Sequence, residues 1–194
     1  MQLFFRNKLF IITLLAIMIC NPIIPTMAQA SPAAFLKDIV ITNDRDDLIS
    51  YFKVKGAFTK KITEAVLNGI PTSFSFLVVL YKKRSTWFDK KIRAVKVTST
   101  LRYNPLKKEF TVIRPWKTDK SCVTKSFDQA KIMMTEIDNL KVVAIDRLKK
   151  GDKYQIRFKA ELSKVTLPLY LRYVFFFVSF WDFDTDWNTI DFIY

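Results

Sequence analysis

The chain has 194 residues and a formal net charge of +14, because 32 Lys and Arg stand against 18 Asp and Glu. It contains no histidine, which excludes Ser-His-Asp and Cys-His catalytic systems and histidine-ligated zinc. Its three glycines, Gly56, Gly69 and Gly151, lie too far apart to form a glycine-rich phosphate-binding loop. These features point to no catalytic residue, metal ligand or cofactor.

The first 30 residues have the order of features that is typical of a secretory signal peptide. Arg6 and Lys8 precede an apolar segment over 9–19, and Ala28-Gln29-Ala30 offers a small-residue cleavage site. Cleavage after Ala30 would leave residues 31–194 as a single domain in the periplasm. Loss of Arg6 and Lys8 would lower the net charge from +14 to +12.

Two other readings of this segment stay open. An uncleaved anchor is disfavoured because the apolar segment is shorter than the ~20 residues that a membrane span needs. A lipoprotein is the other alternative because Cys20 follows the segment, but the bulky Ile19 before it is unlike a lipid-attachment signal. The signal peptide is therefore the favoured interpretation.

Cys122 is the only cysteine that would remain after cleavage. A single cysteine allows no intramolecular disulfide, so packing must stabilise the domain. Since no histidine is available to activate its thiol, we interpret Cys122 as a small, half-buried residue rather than a nucleophile.

Strand-like patterns dominate the mature chain. Alternating or continuous apolar positions bounded by polar turns predict strands over 35–42, 48–54, 72–81, 92–103, 110–113 and 154–162. The strand over 72–81 is apolar on both faces, which indicates a central position in its sheet. The segment 115–121 is predicted to be a polar loop.

Two short helices are predicted between these strands. The first is capped by Thr59 and ends at Gly69, and the second begins at Ser126, three residues before Gln129. Their buried positions are Ile62, Ala65 and Val66 in the first helix, and Phe127, Ala130, Met134 and Ile137 in the second. The predicted fold is therefore α+β: a mainly antiparallel, sandwich-like β-sheet with two short helices.

The positive charge is concentrated in the middle of the chain. Residues 82–125 contain 14 Lys and Arg against three acidic residues. The candidate binding residues in this region are Lys82, Lys83, Arg84, Lys90 and Lys91. For an exported protein the expected partners are an anionic membrane surface or an envelope membrane protein, with no nucleic acid. The alternative is that these residues only make the exposed faces of the strands soluble.

An apolar, aromatic segment occupies residues 167–181. It is too short to span a bilayer, but aromatic residues favour the membrane interface. Arg172, Phe176 and Trp181 are therefore further candidate contacts with a membrane or a membrane protein. The alternative is that the segment supplies part of the hydrophobic core.

Asp182, Asp184 and Asp186 alternate near the C-terminal end of the chain. A calcium-loop reading fails because Trp187 stands where glycine is needed and Ile193 where a bidentate glutamate is expected. Carboxylates beside sugar-stacking tryptophans leave a glycan-cleaving enzyme as an alternative hypothesis.

Several short motifs in a fixed order resemble the bacterial family catalogued as domain of unknown function 4390. They are GAFT at 56–59, LNGIPT at 67–72, YKKRSTWFD at 81–89, YNPL at 103–106, LPL at 167–169 and WDF at 181–183. The resemblance implies an exported protein of Gram-negative bacteria and suggests a link to sensor-kinase signalling. It transfers no catalytic residue.

The sequence thus predicts a non-enzymatic binding or adaptor domain that contacts an envelope protein or the membrane surface. A glycan-cleaving enzyme and a carrier of lipid or another apolar ligand are the alternatives, and no oligomeric state is assigned.

Overall fold

Two antiparallel β-sheets contain most of the residues that the structure describes. The computed structural model describes residues 34–86, 88–163 and 184–194, all within the unit 31–194. The strands are β1 (Phe35–Asn43), β2 (Asp47–Lys55), β3 (Thr72–Lys82), β4 (Lys90–Asn104), β5 (Glu109–Ile113), β6 (Ser121–Thr124), β7 (Glu136–Ala144), β8 (Lys153–Leu162) and β9 (Asn188–Ile193). The helices are α1 (Lys60–Leu67) and α2 (Phe127–Thr135), and a 3-10 turn covers Ile145–Arg147.

The sheets pack face to face. One has the strand order β1-β2-β7, and the other has the order β6-β5-β4-β3-β8-β9. Phe52 of β2 joins them, because its ring contacts those of Phe76 and Phe158 edge-on at centroid distances of 6.0 and 5.3 Å. The prediction of a mainly antiparallel, sandwich-like α+β fold is confirmed.

β3 is the central strand of the larger sheet, as its two apolar faces predict. It pairs with β4 on one side and with β8 on the other. Its inner residues Phe74, Phe76, Val78 and Leu80 are fully buried between the sheets. Burial of side chains of this size is the main source of stability in such a domain.

Both predicted helices form, and each begins at its predicted cap. Thr59 Oγ1 accepts a hydrogen bond from Ile62 N, and Ser126 Oγ accepts one from Gln129 N, both at 3.3 Å. Gln129 does not complete a reciprocal capping box with Ser126. Instead, Thr124 Oγ1 accepts from Ser126 N at 3.1 Å and donates to Gln129 Oε1 at 2.6 Å.

The prediction that Ile137 belongs to the second helix is wrong, because α2 ends at Thr135. Ile137 lies in β7, where it pairs with Phe52 and remains buried. The sequence analysis also missed β6, β7 and β9 as strands, although the loop before Ser121 is where it was predicted.

The predictions for the aromatic segment 167–181 fall outside the described residues, as do Arg172, Phe176, Trp181 and Asp182. Among the residues that are described, no helix is long and apolar enough to cross a membrane.

Candidate functional site

The strand register gathers the basic residues of distant segments at one end of the six-stranded sheet. Lys82 at the end of β3 pairs with Lys90 of β4 and with Tyr154 of β8. The turn between β7 and β8 joins this group, because Lys83 N donates to Lys153 O at 2.9 Å and Lys82 forms an ion pair with Asp152.

We call this cluster the basic end. It comprises eight cationic residues: Lys82, Lys83, Arg84, Lys90, Lys91, Lys149, Lys150 and Lys153. Asp89 and Asp152 are its acidic members, and they pair with Lys83 (at 3.6 Å) and Lys82, respectively. The other six cations have no ion pair among the described residues. Phe88, in the β3–β4 loop of the same cluster, is 88% exposed.

The five cationic candidates from the sequence therefore lie together, joined by three lysines that the sequence analysis missed. Lys149, Lys150 and Lys153 are about 60 positions further along the chain, and only the β3–β8 pairing brings them to this end. The signal available in the sequence was the Lys-Lys-Gly-Asp turn that precedes a predicted strand.

Asp184 and Asp186 are the two carboxylates of the alternative hypothesis that the structure describes. Asp184 forms an ion pair with Lys159 at 2.6 Å and a β-bridge with Glu161, and Asp186 is exposed. Neither lines the three clefts described for this fold. The described residues contain no group of three or more Cys, Asp or Glu that could hold a metal ion.

A second cationic surface lies between β7, an edge strand of the smaller sheet, and the part of β4 that β5 leaves uncovered. A cleft of about 510 Å³ opens there, with Val95 and Val97 of β4 on one wall and Leu140 and Lys141 of β7 on the other. A smaller cleft of about 240 Å³ shares Lys141 and includes Arg93 and Arg147. We call the two clefts together the basic seam.

Ion pairs neutralise only part of the positive charge of the basic seam. Lys117 pairs with Asp138, and Lys141 pairs with Asp47 at 2.6 Å. The hydrogen bond and charge of Asp47 raise the pKa of Lys141 above its usual value. The three arginines of the seam, which are Arg93, Arg114 and Arg147, have no ion pair among the described residues, and neither has Asp119, so the lining holds five cationic and three acidic side chains.

The loop between β5 and β6 adds two unsatisfied donors to the wall of the seam. Arg114 Nε and Trp116 Nε1 are buried and have no hydrogen-bond partner in the described part of the chain. The ring of Trp116 contacts Phe76 edge-on at 6.4 Å, so the indole also closes the core. Buried donors without partners are rare in native proteins.

The fold and these surfaces define an α+β sandwich domain with two exposed cationic surfaces. The chain belongs to the family described as Domain of unknown function (DUF4390), whose model matches residues 31–191. This confirms the resemblance seen in the short sequence motifs. No curated protein and no solved structure matches the chain significantly.

Proposed function

We propose that this protein is an exported, non-enzymatic adaptor domain of the periplasm that docks on an anionic membrane surface through the basic end. The surplus of six positive charges at the basic end carries this proposal. Because six of its cations have no ion pair with any described residue, we infer that their charge is available to lipid headgroups. An envelope membrane protein would then be the partner that the docked domain recruits.

The exposed phenylalanine fits the same role. Phe88 has cationic residues on both sides, and insertion of its ring into the interface would bury apolar surface that is now almost fully exposed. A lysine near an anionic bilayer contributes about 1 kcal/mol to binding, which is roughly fivefold in partition. Several such contacts and one aromatic anchor suffice for reversible membrane association.

The experiment measures partition of the purified protein into vesicles of equimolar phosphatidylglycerol and phosphatidylcholine by co-sedimentation. The double variant Lys90→Gln/Lys91→Gln is expected to lower partition roughly twenty- to thirtyfold, and Phe88→Ala to lower it about tenfold. Vesicles of phosphatidylcholine alone should bind little protein, and added salt should weaken binding.

The other end of β4 supplies matched controls. Leu106 is 94% exposed in the β4–β5 turn and is followed by Lys107 and Lys108. β4 has 15 residues, so this turn lies about 50 Å from the basic end, well beyond the screening length. Leu106→Ala and Lys107→Gln/Lys108→Gln should change partition less than about twofold. Equal losses at both ends would show that net charge alone attracts the protein, and would refute the proposal.

A further inference from the structure

We propose that the open edge of β4 in the basic seam binds an extended, acidic segment of a partner protein as an added β-strand. This inference deepens the adaptor function proposed above by naming the chemistry of the recruited partner. It uses backbone groups and arginines that the membrane-docking proposal does not require.

β4 is only partly covered by its neighbour. It pairs with β3 from Lys90 to Leu101, with one register shift at Ile92, but β5 pairs only with its last five residues, from Thr100 to Asn104. On that side, no described strand pairs with residues 90–99. The backbone N–H and C=O groups there can therefore pair with an incoming strand.

The regular pairing of β4 makes it a better template than β7, which is the opposite edge of the seam. β4 pairs with β3 without interruption from Arg93 to Leu101. β7 has register shifts on both sides of Leu140 and Lys141, and Asn139 adopts a left-handed conformation with φ of +54°. Such bulges disrupt the even spacing of backbone groups that strand addition requires.

The seam has room for a strand and an apolar surface for alternate side chains. Its main cleft of about 510 Å³ lies within the range of roughly 300–1,000 Å³ that is typical of ligand sites. Val95 and Val97 share the inner face of β4 and lie opposite Leu140 across the cleft. An added strand would place every second side chain between these walls.

The charges of the seam favour an acidic partner segment over a second copy of this chain. Arg93 and Arg147 are exposed and have no ion pair among the described residues, and the lining of the seam holds two more cationic than acidic side chains. A second copy that paired through this same edge would bring like charges together, which is unfavourable. A segment rich in Asp or Glu would instead find complementary charge along the strand.

The test uses a fluorescent acetylated peptide of eight alternating Glu and Val residues, with binding measured by anisotropy in the absence of vesicles. We expect saturable binding, and at least tenfold weaker binding of the same peptide with Lys in place of Glu. N-methylation of alternate residues on the β4-facing edge removes the backbone donors, and should weaken binding about tenfold or more. Methylation of the opposite edge is the matched control. It should leave affinity nearly unchanged.

Two charge-reversal variants locate the site. Arg93→Glu/Arg147→Glu should weaken binding of the Glu-Val peptide at least tenfold, whereas Lys107→Glu/Lys108→Glu makes the same charge change outside the seam. Urea denaturation checks that both variants fold. Equal effects of the two variants, or equal binding of the two N-methylated peptides, would overturn the inference.

Two further outcomes separate this inference from the membrane-docking proposal. Vesicle binding without any peptide binding would overturn the strand-addition inference and leave the membrane proposal intact. Peptide binding without vesicle binding would support the inference and refute the membrane proposal. A dimer seen by light scattering that the peptide cannot dissociate would assign the β4 edge to a second copy, and would also overturn the inference.

Discussion

The sandwich has two seams where a strand of one sheet faces a strand of the other, and the side chains of the two seams differ in kind. The basic seam between β4 and β7 presents exposed Arg93 and Arg147. The seam between β1 and β9, which we call the apolar seam, encloses about 320 Å³ and is lined by Ile39, Ile41, Ile190, Phe192 and Tyr194, among others.

Because of this difference, we expect the apolar seam to contribute to stability and the basic seam to contribute to binding. These five apolar residues of the β1–β9 seam are half-buried and pack against the core, so their removal exposes core surface. The exposed arginines of the basic seam bury little surface, so their removal should leave stability unchanged. Substitutions in the apolar seam should therefore lower stability, whereas substitutions in the basic seam should lower only binding.

The largest expected effect comes from the residue that joins the two sheets and so supports both seams. Phe52 is 1% exposed and contacts Phe76 and Phe158 across the sandwich. Phe52→Ala should lower the free energy of unfolding by about 3–5 kcal/mol, because it removes buried surface and leaves a cavity. Urea denaturation followed by circular dichroism measures the loss. A change below about 1 kcal/mol would mean that the sheets do not depend on this contact.

The next prediction compares the seams directly. Phe192 stacks on Tyr154 with a centroid distance of 5.8 Å, and Phe192→Ala should cost about 1–2 kcal/mol of unfolding free energy. Arg93→Ala in the basic seam should change it by less than about 0.5 kcal/mol. The same urea titration measures both variants. A destabilising effect of Arg93→Ala as large as that of Phe192→Ala would remove the distinction between the seams.

The parts of the fold that follow from local chemistry were predictable from the sequence. Thr59 and Ser126 cap helices because their side-chain oxygens lie within three residues of free backbone donors. β3 was recognisable as central because both of its faces are apolar. The cationic candidates from Lys82 to Lys91 lie on one hairpin, so their proximity could also be predicted from the sequence.

Pairing between residues far apart in the sequence accounts for the features that the sequence analysis missed, which are the end of α2 and the basic seam. The helical pattern of α2 continues through Ile137, but Glu136 adopts an extended conformation and forms an ion pair with Lys53 of β2 at 2.9 Å. The basic seam depends on the short length of β5, which ends at Ile113 before Pro115. Proline has no N–H group for a ladder, so it was a local signal that β4 would be left partly uncovered.

The smallest expected effect is a pH-dependent one at the turn between β1 and β2, whose flanking residues Asn43 and Leu48 line the apolar seam. Asp44 Oδ1 accepts hydrogen bonds from Asp47 N at 2.6 Å and from Asp46 N at 2.9 Å. These bonds favour the charged carboxylate and hold the pKa of Asp44 below its usual value of 3.8.

The sign of the effect follows from this lowered pKa. The stability that the charged Asp44 contributes is fully present above pH 3.8, and it is lost as the pH falls through the lower pKa of the folded protein. The urea midpoint of the wild type should therefore exceed that of Asp44→Ala by a small margin at neutral pH, and the margin should close in acid. Asp44→Asn keeps an acceptor that does not titrate, so its margin over Asp44→Ala should not change with pH. If that margin also closed in acid, the cause would lie in other groups of the turn rather than in the Asp44 carboxylate.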